Sequence, residues 1–193
     1  MAVLVSGEGT NLQAIIDSID SGYLRETEID CVVSDRENIG AIERARRRSI
    51  PVIIVNRSNM LSILSPIFQK VDLVVLAGFL KILPSELVKL KPVINIHPSL
   101  LPLFGGKGMY GLKVHEEVIR SGMKVSGCTV HLVTEDVDGG PIIAQKCVTV
   151  ESTDNPESLQ QKIHPLEHQL LVETIKNFGE KKFVINNKKF IFI

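Results

Sequence analysis

Short apolar runs alternate with segments of helical period along the first half of the chain. The runs at 2–6 (AVLVS), 28–34 (EIDCVVS), 51–55 (PVIIV), 72–78 (DLVVLAG) and 92–96 (PVINI) are rich in Val and Ile and predict strands. The run at 72–78 is almost continuous in apolar residues, the pattern of a strand buried on both faces. Helical spacing predicts helices at 11–20, 39–48, 59–70 (a broken one) and 85–90. This βαβ rhythm predicts an α/β fold with a mostly parallel sheet and helices on both faces.

The pattern changes after about residue 122. Longer runs at 124–133 (KVSGCTVHLV) and 141–150 (PIIAQKCVTV) flank TEDVDGG, and they predict an antiparallel pair. Residues 155–178 read as a helix that Pro165 should interrupt or kink. The last thirteen residues predict a hairpin turning at Asn186 and Asn187. No repeat or linker divides the chain, so one domain over 1–193 is expected.

Composition narrows the partners. Lys plus Arg and Asp plus Glu are 22 each, which leaves no net field for nucleic acid or an anionic membrane surface. No apolar run approaches the roughly 20 residues of a membrane span, and the first residues lack the flanks of a signal peptide. Cys31, Cys128 and Cys147 are odd in number and scattered, and they read as buried thiols of a reducing compartment. A cytoplasmic protein is expected.

Three segments could carry chemistry. The first is SGEGTN at 6–11, between a strand and a helix. Its glycines allow a sharp turn and close approach to a ligand, and the helix start favours phosphate. Thr10 or Asn11 would cap that helix. The plain alternative is a tight turn. Leu12 stands where a dinucleotide loop has its third glycine, and no GK[ST] follows, so a mononucleotide or sugar phosphate fits better.

The second lies at the strand ends, where ligands of open parallel sheets bind. Residues 79–83 (FLKIL) either pack in the core or form an apolar slot for a flat ligand. Asn95 and His97 in NIHPSLLP stand at i and i+2 and project from one face of a strand. An amide can donate to a developing oxyanion, and an imidazole can move a proton near neutral pH. The plain alternative is a hydrogen-bonded pair closing a buried strand. Pro98 and Pro102 stiffen the loop behind them. The third segment is TEDVDGGP at 134–141, either a solvated turn or a loop whose carboxylate (Glu135, Asp136 or Asp138) folds back on His97.

Two further signals read as ordinary structure. His164 and His168 have zinc-like helical spacing, without a third ligand. Arg44, Arg46, Arg47 and Arg48 read as a solvated face at a helix C-terminus.

SGEGTNLQAII, DLVVLAGFLKIL, NIHPSLLP and SGCTVHLVTEDVDGGPIIAQ, in that order, resemble the folate-dependent formyltransferases. SGxGTN points within them to the enzymes acting on glycinamide ribonucleotide. The resemblance covers about residues 2–178. It implies a Rossmann-like formyltransferase fold with an antiparallel C-terminal part. It also implies transfer of formyl from 10-formyltetrahydrofolate to the amine of 5-phosphoribosylglycinamide, in de novo purine synthesis and without a metal. The amine would attack directly, through a tetrahedral intermediate and with no covalent enzyme species.

The same resemblance implies roles for individual residues. Asn95, His97 and Asp138 would be catalytic, which singles out one of the three acids. Gly9, Thr10 and Asn11 would hold the substrate phosphate, and Glu167 the glycinamide substrate. Leu80, Lys81, Ile82 and Leu83, with Asn95, would hold the folate. Lys81 stands where the family often has Arg, and His164 where relatives carry Gln or Lys. Arg57 is the basic residue nearest the place where a folate-tail contact often lies. Ser99 reads as loop structure, and the Leu101-Pro102 bond would be cis. The methionyl-tRNA enzymes and the formyltetrahydrofolate hydrolases share the Asn/His/Asp core, but each is expected to carry a further domain. Small-molecule substrates and a monomer or homodimer complete the expectation.

Overall fold

The computed structural model describes residues 1–180, 183–186 and 189–192. The elements run β1 (Ala2–Val5), α1 (Thr10–Asp20), β2 (Cys31–Ser34), α2 (Gly40–Arg47), β3 (Val52–Ile54), α3 (Met60–Lys70), β4 (Val74–Leu76), α4 (Ser85–Val88) and β5 (Val93–His97). They continue with α5 (Leu112–Arg120), β6 (Val125–Leu132), β7 (Ile142–Thr149), α6 (Pro156–Gly179), β8 (Phe183–Asn186) and β9 (Lys189–Phe192). Seven strands follow the order β3-β2-β1-β4-β5-β6-β7. Contacts divide the chain into two compact units: 1–95 with 133–135, and 96–132 with 136–193.

In the first unit, β1 pairs in parallel with β2 and β4, β2 with β3, and β4 with β5. Every residue of β1, β2 and β4 is buried, as the apolar runs there require, and only Ser34, at the end of β2, is polar among them. The core gathers Ala2, Leu4, Val33, Leu64, Phe68, Val74, Leu87 and Val93. Each large apolar side chain taken fully out of water contributes roughly 1.5–3 kcal/mol. The expected break in the third helix does not occur, because α3 runs through Pro66. Proline forfeits one backbone bond there, and the buried stripe of Met60, Leu64 and Phe68 holds the helix together.

In the second unit, β6 and β7 form the expected antiparallel pair, with a register irregularity between Val130 and His131. Gly127 makes the close pairing feasible: a Cβ there would sit 1.9 Å from the Lys146 carbonyl oxygen. Helix α6 is continuous over 24 residues, with Pro165 inside it. It packs against α5, β6 and β7. Its N-terminus carries a capping box, in which Asn155 accepts from the Ser158 N–H. Strands β8 and β9 pair antiparallel, as the expected hairpin requires. Asn187, half of the expected turn, lies outside the described residues.

Helix α5 has no counterpart among the predicted elements. Its buried face pairs Val114 and Val118 with a buried histidine, His115, so the apolar stripe is short and interrupted. The thiols also correct the reading: Cys31 and Cys128 are buried, but Cys147 on β7 is exposed. That strand ends the sheet order, and from Ala144 on it alternates half-buried with exposed positions, Cys147 being one of the exposed ones.

Gly127→Ala should lower stability by about 2 kcal/mol or more, since the added carbon meets backbone that must move. Urea unfolding followed by circular dichroism measures this; an unchanged midpoint would contradict the close approach.

Candidate active site

The SGEGTN loop leaves β1 and enters α1. Neither Thr10 nor Asn11 caps the helix, which corrects the sequence expectation: Gly9 is the N-cap, at φ 75°, with no side-chain cap. A side chain at Gly9 would also collide with Ala41, with Cβ to Cα at 2.7 Å. The loop is therefore pressed onto α2, and only glycine meets both demands. Thr10 and Asn11 occupy the first helical turn, whose backbone N–H groups lack intrahelical acceptors. The Asn11 Oδ1 is buried without a hydrogen-bond partner.

Arg44 is not part of a solvated face. Its Nε donates to the Glu8 carbonyl at 2.8 Å, and a terminal nitrogen donates to Gln13 Oε1 at 3.1 Å, so it holds the loop from α2. Arg46, Arg47 and Arg48 are exposed as expected.

Beyond β4 the chain turns at Gly78, at φ 76°. The Leu80 N–H donates to Ser6 Oγ at 2.9 Å, and the Ser6 N–H to the Gly78 carbonyl at 3.1 Å. Both readings of the following segment hold in part. Phe79 and Leu83 are buried, whereas Ile82 is 63% and Leu80 39% exposed. Lys81 reaches Asp35, with Nζ 3.9 Å from Oδ2. Arg57 is exposed.

Asn95 and His97 belong to β5, Asn95 half-buried and His97 its last, buried residue. The loop behind His97 is tied down by more than its prolines. Thr129 Oγ1 on β6 donates to the Ser99 carbonyl at 2.6 Å and accepts from the Leu101 N–H at 3.0 Å. Gln145 Nε2 donates to the Leu101 carbonyl at 3.0 Å. Ser99 Oγ donates to the Leu103 carbonyl at 2.6 Å, a loop contact as expected. The Leu101-Pro102 bond is cis.

Of the three acids in the 134–141 loop, Asp138 lies against His97. Glu135 is exposed and pairs with Lys89 Nζ at 2.6 Å, and Asp136 is exposed. Asp138 Oδ2 lies 3.6 Å from His97 Nδ1 and accepts from the Gly106 N–H at 2.8 Å. Gly105 lets this loop approach; a Cβ there would stand 3.2 Å from Asp138 Cβ and 2.5 Å from Leu101 Cδ2. Asp138 itself has φ 56°, a left-handed conformation costing roughly 1 kcal/mol for a side chain with a carboxylate. Two residues absent from the predicted set also stand here. His131 Nε2 is 3.5 Å from Asp138 Oδ1, and His115 on α5 is buried. The signal for His131 was a histidine at an inward position of an apolar strand, two residues from Thr129.

The Phe104 carbonyl fixes the tautomer of His97. It lies 2.9 Å from Nε2 and can only accept, so Nε2 carries the hydrogen and Nδ1 is the nitrogen that titrates. Burial favours the neutral ring and lowers its pKa, against the opposing pull of Asp138 and Phe104. Burial alone would raise the Asp138 pKa. The His131 hydrogen bond, the His97 charge and the Gly106 N–H together outweigh it and bring the carboxyl below its ordinary value. The resting pair is thus an ionised carboxylate beside a mostly neutral imidazole.

Glu167 on α6 is buried, and burial pushes its carboxyl up to about 7. His164 Nε2 lies 3.9 Å from its Oε2, and the His164 ring stacks on His168 with centroids 6.4 Å apart.

The formyl transferase family matches residues 1–175, and the chain belongs to that family. The chloroplastic phosphoribosylglycinamide formyltransferase of Arabidopsis thaliana is 39% identical over 193 residues, covering 94% of this chain and 66% of that protein. The chain spans a little under two thirds of the length of the plant relatives it matches. The glycinamide ribonucleotide transformylase 1 structure from Symbiobacterium toebii superposes with a TM-score of 0.90 at 37% identity, covering 100% of this chain and 92% of that one. A formyltetrahydrofolate deformylase from Pseudomonas syringae pv. tomato superposes with a TM-score of 0.89 at 27% identity, covering 100% and 65%. The Rossmann-like, mostly parallel sheet with antiparallel C-terminal strands is the fold these relatives share with it.

Because the folded pKa of Glu167 lies above its unfolded value, the folded state binds the extra proton between the two. Its contribution is complete below the unfolded pKa and lost as pH rises through about 7. Glu167→Gln should therefore gain stability over wild type above pH 7, on the order of 2–3 kcal/mol. Unfolding midpoints across pH measure this; parallel curves for the two proteins would contradict the buried neutral carboxyl.

Proposed function

We propose that the chain transfers the formyl group of 10-formyltetrahydrofolate to the amine of 5-phosphoribosylglycinamide, as a cytoplasmic enzyme of de novo purine synthesis. The observation that carries this reading is a buried imidazole with its titrating nitrogen 3.6 Å from a carboxylate held ionised, in a chain of the formyl transferase family. The whole of 1–193 works as one formyltransferase domain, as a monomer or homodimer on small molecules. In this reading it needs no metal, nucleic acid or membrane.

The amine attacks the formyl carbon, and negative charge builds on the formyl oxygen. Asn95 donates to that oxyanion through its amide, and His97 through Nδ1–H once the ring gains a proton. Asp138 stabilises the resulting imidazolium and orders a water that relays the amine proton towards the departing folate nitrogen. The backbone N–H groups of Gly9, Thr10 and Asn11 suit a phosphate at the start of α1. Glu167 binds the glycinamide portion. Leu80, Lys81, Ile82 and Leu83, with Asn95, bind the folate; the exposed Leu80 and Ile82 suit a flat apolar ring.

The likeness to a deformylase makes water the competing acceptor. Tetrahydrofolate release from the formyl donor, measured with and without glycinamide ribonucleotide, separates the two. Strict dependence on the ribonucleotide is expected; equal release in both arms means hydrolysis, and no release means binding without turnover. Asn95→Ala should lose roughly 10²–10³-fold in kcat, the usual effect of removing an oxyanion donor. Asp138→Ala should fold and lose most turnover; near-normal turnover would remove its assigned role.

A further inference from the structure

Three consecutive carbonyls of the SGEGTN loop are each committed to a donor. The Gly7 carbonyl accepts from the Ala41 N–H at 3.2 Å, the Glu8 carbonyl from Arg44 Nε at 2.8 Å, and the Gly9 carbonyl from the Gln13 N–H at 2.9 Å. The first and third donors are backbone. The middle one is a side chain, so substitution can remove it alone. Arg44 is itself held in place: a terminal nitrogen donates to Gln13 Oε1 at 3.1 Å, and Gln13 Nε2 donates to Asp17 Oδ1 at 2.8 Å. A guanidinium only donates, so these bonds also settle which way the Gln13 amide faces.

The middle carbonyl matters for the N–H that follows it. In a planar trans peptide the carbonyl and the next N–H point in opposite directions. Drawing the Glu8 carbonyl onto α2 therefore turns the Gly9 N–H away from α2. Glycine does not choose this orientation by itself, because rotating the peptide changes the φ of residue 9, and glycine accepts either sign. At the N-cap of α1, the Gly9 N–H then joins the unsatisfied N–H groups of the first turn. Negative charge is kept from that turn. No acid stands in it, and Glu8 Oε2 lies instead at the first residue of α2, 2.6 Å from where a Cβ on Gly40 would stand. The same turn holds the Asn11 Oδ1, buried without a hydrogen-bond partner.

We infer that Arg44 is a positioning residue that holds the Glu8-Gly9 peptide in the one orientation offering the Gly9 N–H to the phosphate of the acceptor substrate. It acts through the peptide and not through its charge. Without it the peptide can turn over, and the Glu8 carbonyl then presents an oxygen to the phosphate where a donor had been. A guanidinium carries its donors on a rigid fork and so reaches the Glu8 carbonyl and Gln13 at once; a lysine ammonium keeps the charge without the fork. The inference rests on the reading of this loop as the phosphate site, and not on the identity of the group transferred.

Amide NMR of the ¹⁵N-labelled full chain, titrated with inorganic phosphate, tests this together with steady-state kinetics. In wild type the Gly9 and Thr10 N–H signals should move most with phosphate, and the Glu8 signal little. Arg44→Lys should weaken phosphate binding, and raise KM for the ribonucleotide, roughly 10- to 100-fold, the usual worth of one hydrogen bond to a charged group. kcat and the KM for the formyl donor should stay near wild type, as for a contact equal in ground and transition states. Arg47→Gln, which removes an exposed charge from the same helix, should leave every value in place. If Arg44→Lys does not fold, Gln13→Ala frees one end of the fork, and the same two constants should rise by roughly 3- to 10-fold. A purely structural Arg44 would lower stability and leave the ribonucleotide KM where it was. Phosphate binding as tight in these variants as in wild type overturns the proposal and leaves the phosphate reading standing. A wild-type Gly9 N–H that ignores phosphate overturns both. Weakened phosphate binding in the variants of a chain that transfers no formyl group upholds the role of Arg44 and retires the formyl-transfer reading.

Discussion

One half-buried carboxylate, Asp138, constrains the second unit. Asp138 stays ionised because two imidazoles and the Gly106 N–H surround it, and each comes from a different part of the chain. His97 ends β5, His131 sits in β6, and Gly106 belongs to the loop behind the prolines. Removing solvent from a carboxylate costs several kcal/mol unless such partners are in place. Asp138 also holds a left-handed backbone conformation. The close approach at Gly105 lets the loop behind the prolines bring the Gly106 N–H to it.

The first unit follows the same logic with backbone rather than charge. Gly9 lies where α2 leaves no room for a Cβ, and Arg44 reaches across from α2 to hold the loop carbonyl of Glu8. Ser6 ties the segment after β4 to the same loop. The result is a helix start with free N–H groups beside a rigid turn, the arrangement suited to a phosphate.

Much of the scaffold was legible in the pattern of residues. Continuous Val- and Ile-rich runs mark strands buried on both faces, and β1, β2 and β4 are just that. Helix α5 was not legible, because its buried face includes His115 and its apolar period is too short. The cap at Gly9 was misread, since nothing local shows that Ala41 crowds the loop. Arg44 looked like one charge in a run because its partners lie over thirty residues away. In the site, Asn95 and His97 stood out by strand alternation. Residue pattern alone left Glu135, Asp136 and Asp138 equivalent, and family resemblance singled out Asp138. His131 passed as strand filling, since its meaning depends on a carboxylate seven positions ahead in a turn.

The ionised state of Asp138 is the claim on which the rest depends. Carboxyl carbon NMR of protein labelled at aspartate ¹³Cγ, with Asp138→Asn for assignment, measures it directly. The Asp138 resonance should remain that of a carboxylate as pH falls, titrating below the ordinary aspartate value of about 3.9. Titration at or above that value would show that burial outweighs the imidazoles, and would contradict the account.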